Sequence, residues 1–285
     1  MRRCTVRVPA SSANLGPGFD VLAAALDLHV EVDVAETGRF AVRSELPIAL
    51  NRRNLCVRGF AALHPPDLFA FTIRSDVPLS GGLGTSAAAI VAGLTAARAL
   101  TGAGDDDLLP AASGLEGHPD NVAAALLGGF VVCAGARAER IEVPAGLEAV
   151  LAVPDDAVRT AKARGAMPTD VALRDAVFNV GHAALLVLGL VRGDRDLIAR
   201  GLADRVHQPP RTPLYPRSMA LVERATELGA LGATISGAGP SVLLWCAAED
   251  AAAVAGRAEA EVAGWARVLR AGFAREGATV LTRRA

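Results

Sequence analysis

Apolar and polar residues alternate in two stretches near the start of the chain, Thr5-Val6-Arg7-Val8 and His29-Val30-Glu31-Val32-Asp33-Val34. A period of two puts the apolar side chains on one face, so both stretches predict half-buried β-strands. Residues 9–20 between them are rich in Ser, Asn, Gly and Pro and predict a loop. A third strand is predicted at Phe69–Arg74. Beyond the turn at Asp76-Val77-Pro78 and the run Gly81-Gly82-Leu83-Gly84, residues 86–98 contain strong helix formers and no Pro, and Thr85 or Ser86 suits the N-cap. Another helix should end near Glu116, where Gly117-His118-Pro119-Asp120 breaks the pattern. Strands follow at Phe130–Cys133 and Ala149–Val153, and helices at 172–191 and 216–229. Strands at Ala233–Ser236 and Val242–Cys246 flank Gly237-Ala238-Gly239-Pro240, before a helix at 249–262 and a last strand at Thr279–Thr282. This mixture predicts a two-domain α/β or α+β enzyme with a boundary near residue 146.

Composition narrows the function. The 285 residues are 52% hydrophobic and 21% charged, enough apolar residue for a sizeable core. The 29 basic and 30 acidic residues nearly cancel, which argues against nucleic acid or an anionic membrane as partner. Of the basic residues only Lys162 is a lysine, and it follows Ala161 rather than Gly, so no Walker A loop is present. Cys4, Cys56, Cys133 and Cys246 are scattered, without the spacing of a zinc site or a disulfide framework. The N-terminus lacks a signal-peptide apolar stretch, and the uncharged run from Val122 to Ala136 is too short to span a bilayer. A cytoplasmic protein is expected.

Gly81-Gly82-Leu83-Gly84-Thr85-Ser86-Ala87 has the makings of a phosphate loop. Glycines allow close approach to the backbone, and the first N–H groups of the following helix lack internal partners and carry its positive dipole end. Taken alone it is also an ordinary strand-to-helix turn. A dinucleotide reading competes, because Gly82, Gly84 and Ala87 match G-x-G-x-x-[GA] and Asp105–Asp107 lie at about the distance of a ribose-binding acid. Against it, Val77-Pro78-Leu79-Ser80 separates strand from glycines, and the Asp residues sit in a turn.

Three ordered motifs sharpen the reading: V-P-A-S-S-A-N-L-G-P-G-F-D at 8–20, P-L-S-G-G-L-G-T-S-A-A at 78–88 and S-G-A-G-P-S at 236–241. With E-G-H-P-D-N-V-A at 116–123, D-A-V-F-N at 175–179 and H-Q-P-P-R at 207–211, the chain resembles the GHMP small-molecule kinases over residues 5 to about 245. The detail is closest to the branch that phosphorylates homoserine. The resemblance implies an α+β, two-domain fold: an N-terminal ATP domain like the second domain of ribosomal protein S5 (1–146) and a ferredoxin-like C-terminal domain (147–285). It also implies Mg²⁺-dependent transfer of the ATP γ-phosphate to the hydroxyl of L-homoserine, a step before threonine synthesis, and a homodimer.

Residue by residue, the resemblance assigns Pro78, Leu79, Ser80, Gly81, Gly82, Leu83, Gly84, Thr85, Ser86 and Ala87 to ATP, Ser86 and Glu116 to Mg²⁺, and Asn54 to adenine. Asn14, Asp20 and Thr160 are its catalytic residues. Asn14 and Asp20 bracket the substrate hydroxyl and ammonium, Arg164 and Arg211 take the carboxylate, and Thr160 lies near the transferred phosphate. His118, Asn121 and Gly237 complete the substrate site, and His207 helps to position the loop of Arg211. Lys162 is either a neighbour of the γ-phosphate or an exposed cation. His29, His64 and His182 carry no motif and are expected to be structural. Thr85, Ala124 and Pro210 stand where the family pattern has Ser, Pro and Tyr, and none of these changes removes a ligand. A GHMP kinase acting on an isoprenoid or sugar, a nicotinamide oxidoreductase and a binding protein remain as alternatives.

Overall fold

The computed structural model describes residues 2–79, 81–104, 107–135, 137–156 and 160–284. Ser80 of the glycine loop, and Asp105 and Asp106 of the dinucleotide alternative, lie outside the described residues. The first half contains β1 (Arg3–Ala13), β2 (Leu22–Glu36), β3 (Ala41–Arg43), α1 (Leu55–Ala61), β4 (Phe69–Ser75), α2 (Thr85–Thr101), α3 (Leu109–Glu116), α4 (Asp120–Leu127), β5 (Phe130–Ala134) and β6 (Arg137–Ile141). The second contains β7 (Leu147–Pro154), α5 (Thr160–Gly165), α6 (Leu173–Arg192), α7 (Arg195–Gly201), α8 (Pro216–Arg224), β8 (Gly232–Ile235), β9 (Val242–Ala247), α9 (Ala251–Glu261), β10 (Ala266–Ala271) and β11 (Thr279–Arg284).

These strands form two sheets. The larger runs β11-β1-β2-β4-β3, with β5 on the other end of the long β2 and β6 beyond it. The smaller, β10-β7-β9-β8, is antiparallel throughout. Counted from β7 its order is 4-1-3-2, the ferredoxin-like arrangement expected for the C-terminal half. β11 leaves that half and pairs with β1, so the last residues close an edge of the first sheet.

The hydrophobic pattern explains the layers. In β2 the alternating Val30, Val32 and Val34 are buried while Glu31 and Asp33 lie on the other face. β7 is apolar on both faces, and each face serves a different core. Leu151 joins Leu243 and Trp245 in the large core shared with the first sheet. Val150 and Ala152 join Leu244, Ile235 and Val254 in a second core under α8 and α9.

Three differences from the sequence reading have physical causes. The predicted loop over 9–20 is strand as far as Ala13, because Ser11, Ser12 and Ala13 are small enough to be buried in the sheet. Pro9, which has no N–H to give, stands where the β1–β2 register shifts. The N-cap of α2 is Gly84 in the left-handed region, not Thr85 or Ser86, whose hydroxyls bond Pro78 and Glu116 instead. The helix predicted to reach 229 ends at Arg224, with turns after it. Short elements such as α1, α4 and β3 escaped the pattern because three to eight residues hold too few periods.

One close approach fixes the helix that follows the glycine loop. A Cβ on Gly93 of α2 would lie 1.9 Å from the Cys56 carbonyl oxygen, and one on Gly59 of α1 would lie 2.2 Å from that of Ile90. The two helices therefore cross backbone to backbone. Gly93→Ala should lower stability by about 1–3 kcal/mol through overpacking, although helix propensity alone favours Ala by about 1 kcal/mol. A lower urea midpoint at unchanged m-value checks this, and an unchanged or higher midpoint contradicts the crossing.

Candidate active site

The cleft is assembled where two glycine loops meet. Gly81, Gly82 and Gly84 all have positive φ and bring the chain from β4 into α2. A Cβ on Gly82 would stand 2.1 Å from the Ser236 carbonyl oxygen, a contact only glycine permits. Ser236 Oγ donates to the Gly82 carbonyl at 2.8 Å, and the Ser241 N–H donates to that of Gly81 at 3.2 Å. The second glycine loop thus packs beside the first. On the other side, the Ser11 N–H donates to the Leu83 carbonyl, so β1 also holds the loop.

A cavity of about 310 Å³ opens over these loops. Asn14, Leu79, Gly81 to Ser86, Glu116, His118, Asn121, Thr160, Arg164, Arg211 and Gly237 all line it. Residues far apart in sequence and named as one site thereby come together. Asp20 is not in the lining but bonds Arg164, which is. Pro78 and Ala87 flank the loop outside the lining, and Pro78 accepts the Thr85 hydroxyl at 3.0 Å. Lys162 is exposed and does not line the cleft. Asn54 lines a neighbouring cavity of about 340 Å³, with Leu46, Pro47, Ile48 and Leu55, that meets the first at Leu79, Thr85 and Ser86. Its amide caps α1 by accepting from the Cys56 N–H and donates to Ala49, so its shape is set from within.

Ser86 Oγ donates to Glu116 Oε1 at 2.5 Å, joining the start of α2 to the end of α3. Burial pushes the Glu116 carboxyl above its ordinary value, opposed by the Ser86 bond. Among the described residues no group of three or more His, Cys, Asp or Glu side chains gathers to hold a metal. A half-buried carboxylate beside a hydroxyl, facing a glycine loop, is nonetheless a donor set that suits Mg²⁺, which keeps phosphate oxygens and waters as its other ligands.

Asp120, which the sequence reading quoted within E-G-H-P-D-N but gave no role, is buried at the start of α4. It accepts from the Asn121 N–H at 2.7 Å and pairs with His118 Nδ1 at 3.1 Å. That bond raises the His118 imidazole above its ordinary value against the opposing effect of burial. Asn121 Oδ1 accepts from Ser11 Oγ at 2.8 Å, which turns its amide nitrogen away from β1. A Cβ on Gly84 would strike Ser11 Oγ at 1.9 Å, which is why the loop needs glycine there.

The substrate-side residues sit on a strained loop. Asn14 and Asp20 are the two non-glycine residues of positive φ among the described residues. Asn14 Nδ2 donates to the Gly237 carbonyl at 2.9 Å, and its Oδ1 accepts from the Asp20 N–H at 2.8 Å. Asp20 and Arg164, assigned to opposite ends of the substrate, are joined in a two-bond ion pair at 2.6 and 3.1 Å. Arg211 is 1% exposed and, among the described residues, has no carboxylate within ion-pair distance. Its donors reach the carbonyls of Ala163 and Gly237 and His207 Nδ1. Burial pulls the guanidinium below its ordinary value, and nearby Arg164 adds to this. A cation in this state has an unmet demand for an anion. Phe19 lies beneath both guanidiniums, 5.5 Å from that of Arg164 and 5.4 Å from that of Arg211.

His207 does more than position a loop. Its Nε2 donates to the Gly16 carbonyl at 2.7 Å, which leaves Nδ1 as acceptor for Arg211 at 3.1 Å. Asp204, also absent from the sequence reading, is buried and accepts from the backbone N–H groups of Val206, His207 and Gln208. Asn179, in the D-A-V-F-N motif, donates to Asp204 and to the Pro17 carbonyl. The motif's function is thus to tie α6 to both substrate loops. Asp204 could be found from sequence only as an acid three residues before His207, a weak signal.

Comparisons with known proteins give the family. Residues 52–129 match the GHMP kinases N terminal domain and residues 186–263 match GHMP kinases C terminal. The chain belongs to the GHMP kinase family. Within it, the chain is 40% identical to the homoserine kinase of Moorella thermoacetica over 256 residues, 85% of this chain and 86% of that one. It is 45% identical to the homoserine kinase of Gloeobacter violaceus over 262 residues, covering 84% and 86%. The crystal structure of homoserine kinase from Cytophaga hutchinsonii superimposes with a TM-score of 0.87 at 30% identity, covering 98% of this chain and 97% of that one. A mevalonate kinase structure shares the fold at TM-score 0.72 and 14% identity.

Burial keeps the His207 imidazole neutral by lowering its pKa from 6.5. Below about pH 6.5 the unfolded chain therefore binds a proton that the folded chain refuses, and the stability present above that pH is lost as pH falls. His207→Gln should flatten the acid limb of stability against pH by up to about 1.4 kcal/mol per pH unit. Parallel acid limbs for variant and parent would contradict a neutral His207.

Proposed function

We propose that the protein is a homoserine kinase that transfers the γ-phosphate of ATP to the hydroxyl of L-homoserine, giving O-phospho-L-homoserine for threonine synthesis. The observation that carries this reading is Arg211: a buried guanidinium without an acidic partner, in the same cavity as a glycine phosphate loop. A neutral sugar offers no reason to bury a cation there, whereas an amino-acid carboxylate does, and mevalonate, which also carries a carboxylate, has no ammonium for Asp20 to bind. Asp20 and Arg164 supply the complementary pair, an acid for the ammonium and a second cation for the carboxylate.

The adenine ring is assigned to the apolar cavity beside Asn54, and the phosphates to the backbone N–H groups of residues 81–87 at the start of α2. Ser86 and Glu116 would hold Mg²⁺, which when bound neutralises phosphate charge. A single half-buried acid there is well matched to a divalent ion that takes its other oxygens from the nucleotide.

In the transfer, the homoserine oxygen forms a bond to the γ-phosphorus as the bond to the β-phosphate oxygen breaks, and ADP leaves. A loose transition state asks for alignment and charge neutralisation more than for a strong base. Asn14, with its carbonyl given to the Asp20 N–H and one amide hydrogen to Gly237, keeps a second amide hydrogen to orient the hydroxyl. Thr160 faces the transferred group from α5, and the hydroxyl proton passes to phosphate directly or through water. Asp20 binds the ammonium and is not the base. The proposed division of the chain near residue 146 puts the nucleotide on the first sheet and its loops, and Arg164 and Arg211 on the second half. A cytoplasmic location fits this metabolic role.

A coupled assay of ADP release against homoserine, serine, mevalonate and galactose tests the reading. Turnover is expected with Mg²⁺ and homoserine, and folded protein that turns over another substrate better overturns it. Asp20→Asn should raise KM for homoserine more than it lowers kcat, and the opposite split would make Asp20 a base. Glu116→Gln should lower kcat/KM by about 10–100-fold and weaken Mg²⁺ dependence. An unchanged metal dependence would remove Glu116 from the metal site.

A further inference from the structure

Behind the proposed carboxylate site lies a buried layer to which the kinase reading gives no task. A guanidinium carries five N–H hydrogens. In Arg211, Nε donates to the Ala163 carbonyl at 3.3 Å, and Nη1 donates to His207 Nδ1 at 3.1 Å and to the Gly237 carbonyl at 3.3 Å. Those bonds use the Nε hydrogen and both hydrogens of Nη1. Nη2 makes no hydrogen bond among the described residues, and the neighbouring Tyr215 hydroxyl donates to the Ala238 carbonyl at 3.2 Å. Arg211 lines the cleft, so the two Nη2 hydrogens are left for a ligand there. The guanidinium is set to meet one carboxylate oxygen end-on rather than to offer a two-nitrogen fork, which leaves Arg164 for the other oxygen.

Two of the three acceptors that hold Arg211 are backbone carbonyls. The third, His207 Nδ1, accepts in one tautomer only. Nε2 lies 2.7 Å from the Gly16 carbonyl, which can only accept, so Nε2 carries the hydrogen. Nδ1 faces a guanidinium, which can only donate, so it presents its lone pair. The ring is mounted firmly. It is fully buried and stacks on Phe19 with centroids 5.6 Å apart, and Phe19 also lies under the Arg211 guanidinium. Asp204 accepts the N–H groups of His207 at 3.1 Å and Gln208 at 2.7 Å, and the Asn179 amide at 2.7 Å. Gln208 Oε1 in turn accepts from the Ile235 N–H of β8 at 2.8 Å. The charged groups against the imidazole are Asp204, 3.7 Å from Nε2, and Arg211 itself. We propose that His207 is the positioning residue for Arg211: its Nδ1 lone pair turns the guanidinium so that Nη2 faces the substrate carboxylate. The identity of that carboxylate rests on the kinase reading, whereas the His207–Arg211 geometry does not.

Steady-state kinetics of the full chain with His207→Gln, His207→Leu and His207→Asn test it, with melting temperatures measured alongside. Gln can still reach Gly16 but leaves Arg211 Nη1 without its acceptor. Leu removes both bonds, and Asn puts a side-chain oxygen where Nδ1 stands. His207→Gln and His207→Leu should raise KM for homoserine roughly 10–100-fold, the weight of a hydrogen bond to a charged group. Their kcat and KM for ATP should stay within about threefold of the parent's. His207→Asn should recover most of the loss although it gives up the Gly16 bond. A homoserine KM unmoved by His207→Gln, or no recovery with His207→Asn, would overturn the proposal. So would kcat and both KM values shifting in step with the melting temperature, which would make His207 a structural brace. Two readouts need no turnover. Long-range ¹⁵N–¹H spectra of the free protein should show the His207 hydrogen on Nε2 and none on Nδ1. Acetate titrated against the parent and His207→Gln, followed at the guanidinium ¹⁵N signals, should bind the variant more weakly. A hydrogen on Nδ1, or equal acetate dissociation constants, overturns the proposal even where homoserine is turned over. Both results holding in a parent that releases no ADP with homoserine would support the positioning and overturn the substrate reading alone.

Discussion

The site depends on a backbone contact that tolerates no side chain. Gly82 meets the Ser236 carbonyl so closely that a methyl group would overlap it, and the Ser236 and Gly82 groups are then bonded to each other. Through this contact the phosphate loop, attached to the first sheet by Leu83 and β1, is registered against the second sheet between β8 and β9. Leu79, Thr85, Ser86 and Glu116, proposed for the nucleotide and its metal, lie on one side of the contact. Arg211 and Arg164 lie on the other, and Asn14 spans the two by bonding Gly237 and the Asp20 N–H.

Charge is distributed unevenly across the cleft. Glu116 is a half-buried acid at the cleft whose side-chain hydrogen bond is to the Ser86 hydroxyl, and Arg211 is a buried cation with no acid in ion-pair distance among the described residues. Each is costly alone. A magnesium nucleotide would answer the first and an amino-acid carboxylate the second, so the two desolvated groups define the two ligands. Asp20 and Arg164, more exposed, satisfy each other meanwhile and can exchange that bond for the two ends of a zwitterion.

Much of this was legible in the sequence because the chemistry demands particular residues in order. Gly82 and Gly84 must be glycine for steric reasons, and two further motifs, at 116–123 and 207–211, carried Glu116, Asn121 and Arg211. What stayed hidden acts through geometry. Ser11 and Ser12 read as loop because they are polar, yet small size lets a strand bury them. Asp120 and Asp204 act by accepting backbone N–H groups, a role with no spacing rule to announce it. The return of β11 to β1 joins residues more than 270 apart in sequence, beyond the reach of any local pattern.

The single lysine among the basic residues has a physical sense in the proposed reading, where glycine backbone and metal hold the phosphate and Arg164 and Arg211 are the guanidiniums with a task. The most direct test follows the phosphorus itself. ³¹P NMR of the protein with Mg·ATP and L-homoserine should show the γ-phosphate signal replaced by a phosphomonoester on the homoserine oxygen, in step with ADP. Phosphate appearing as free inorganic phosphate, or ATP left intact by folded protein, would contradict the account.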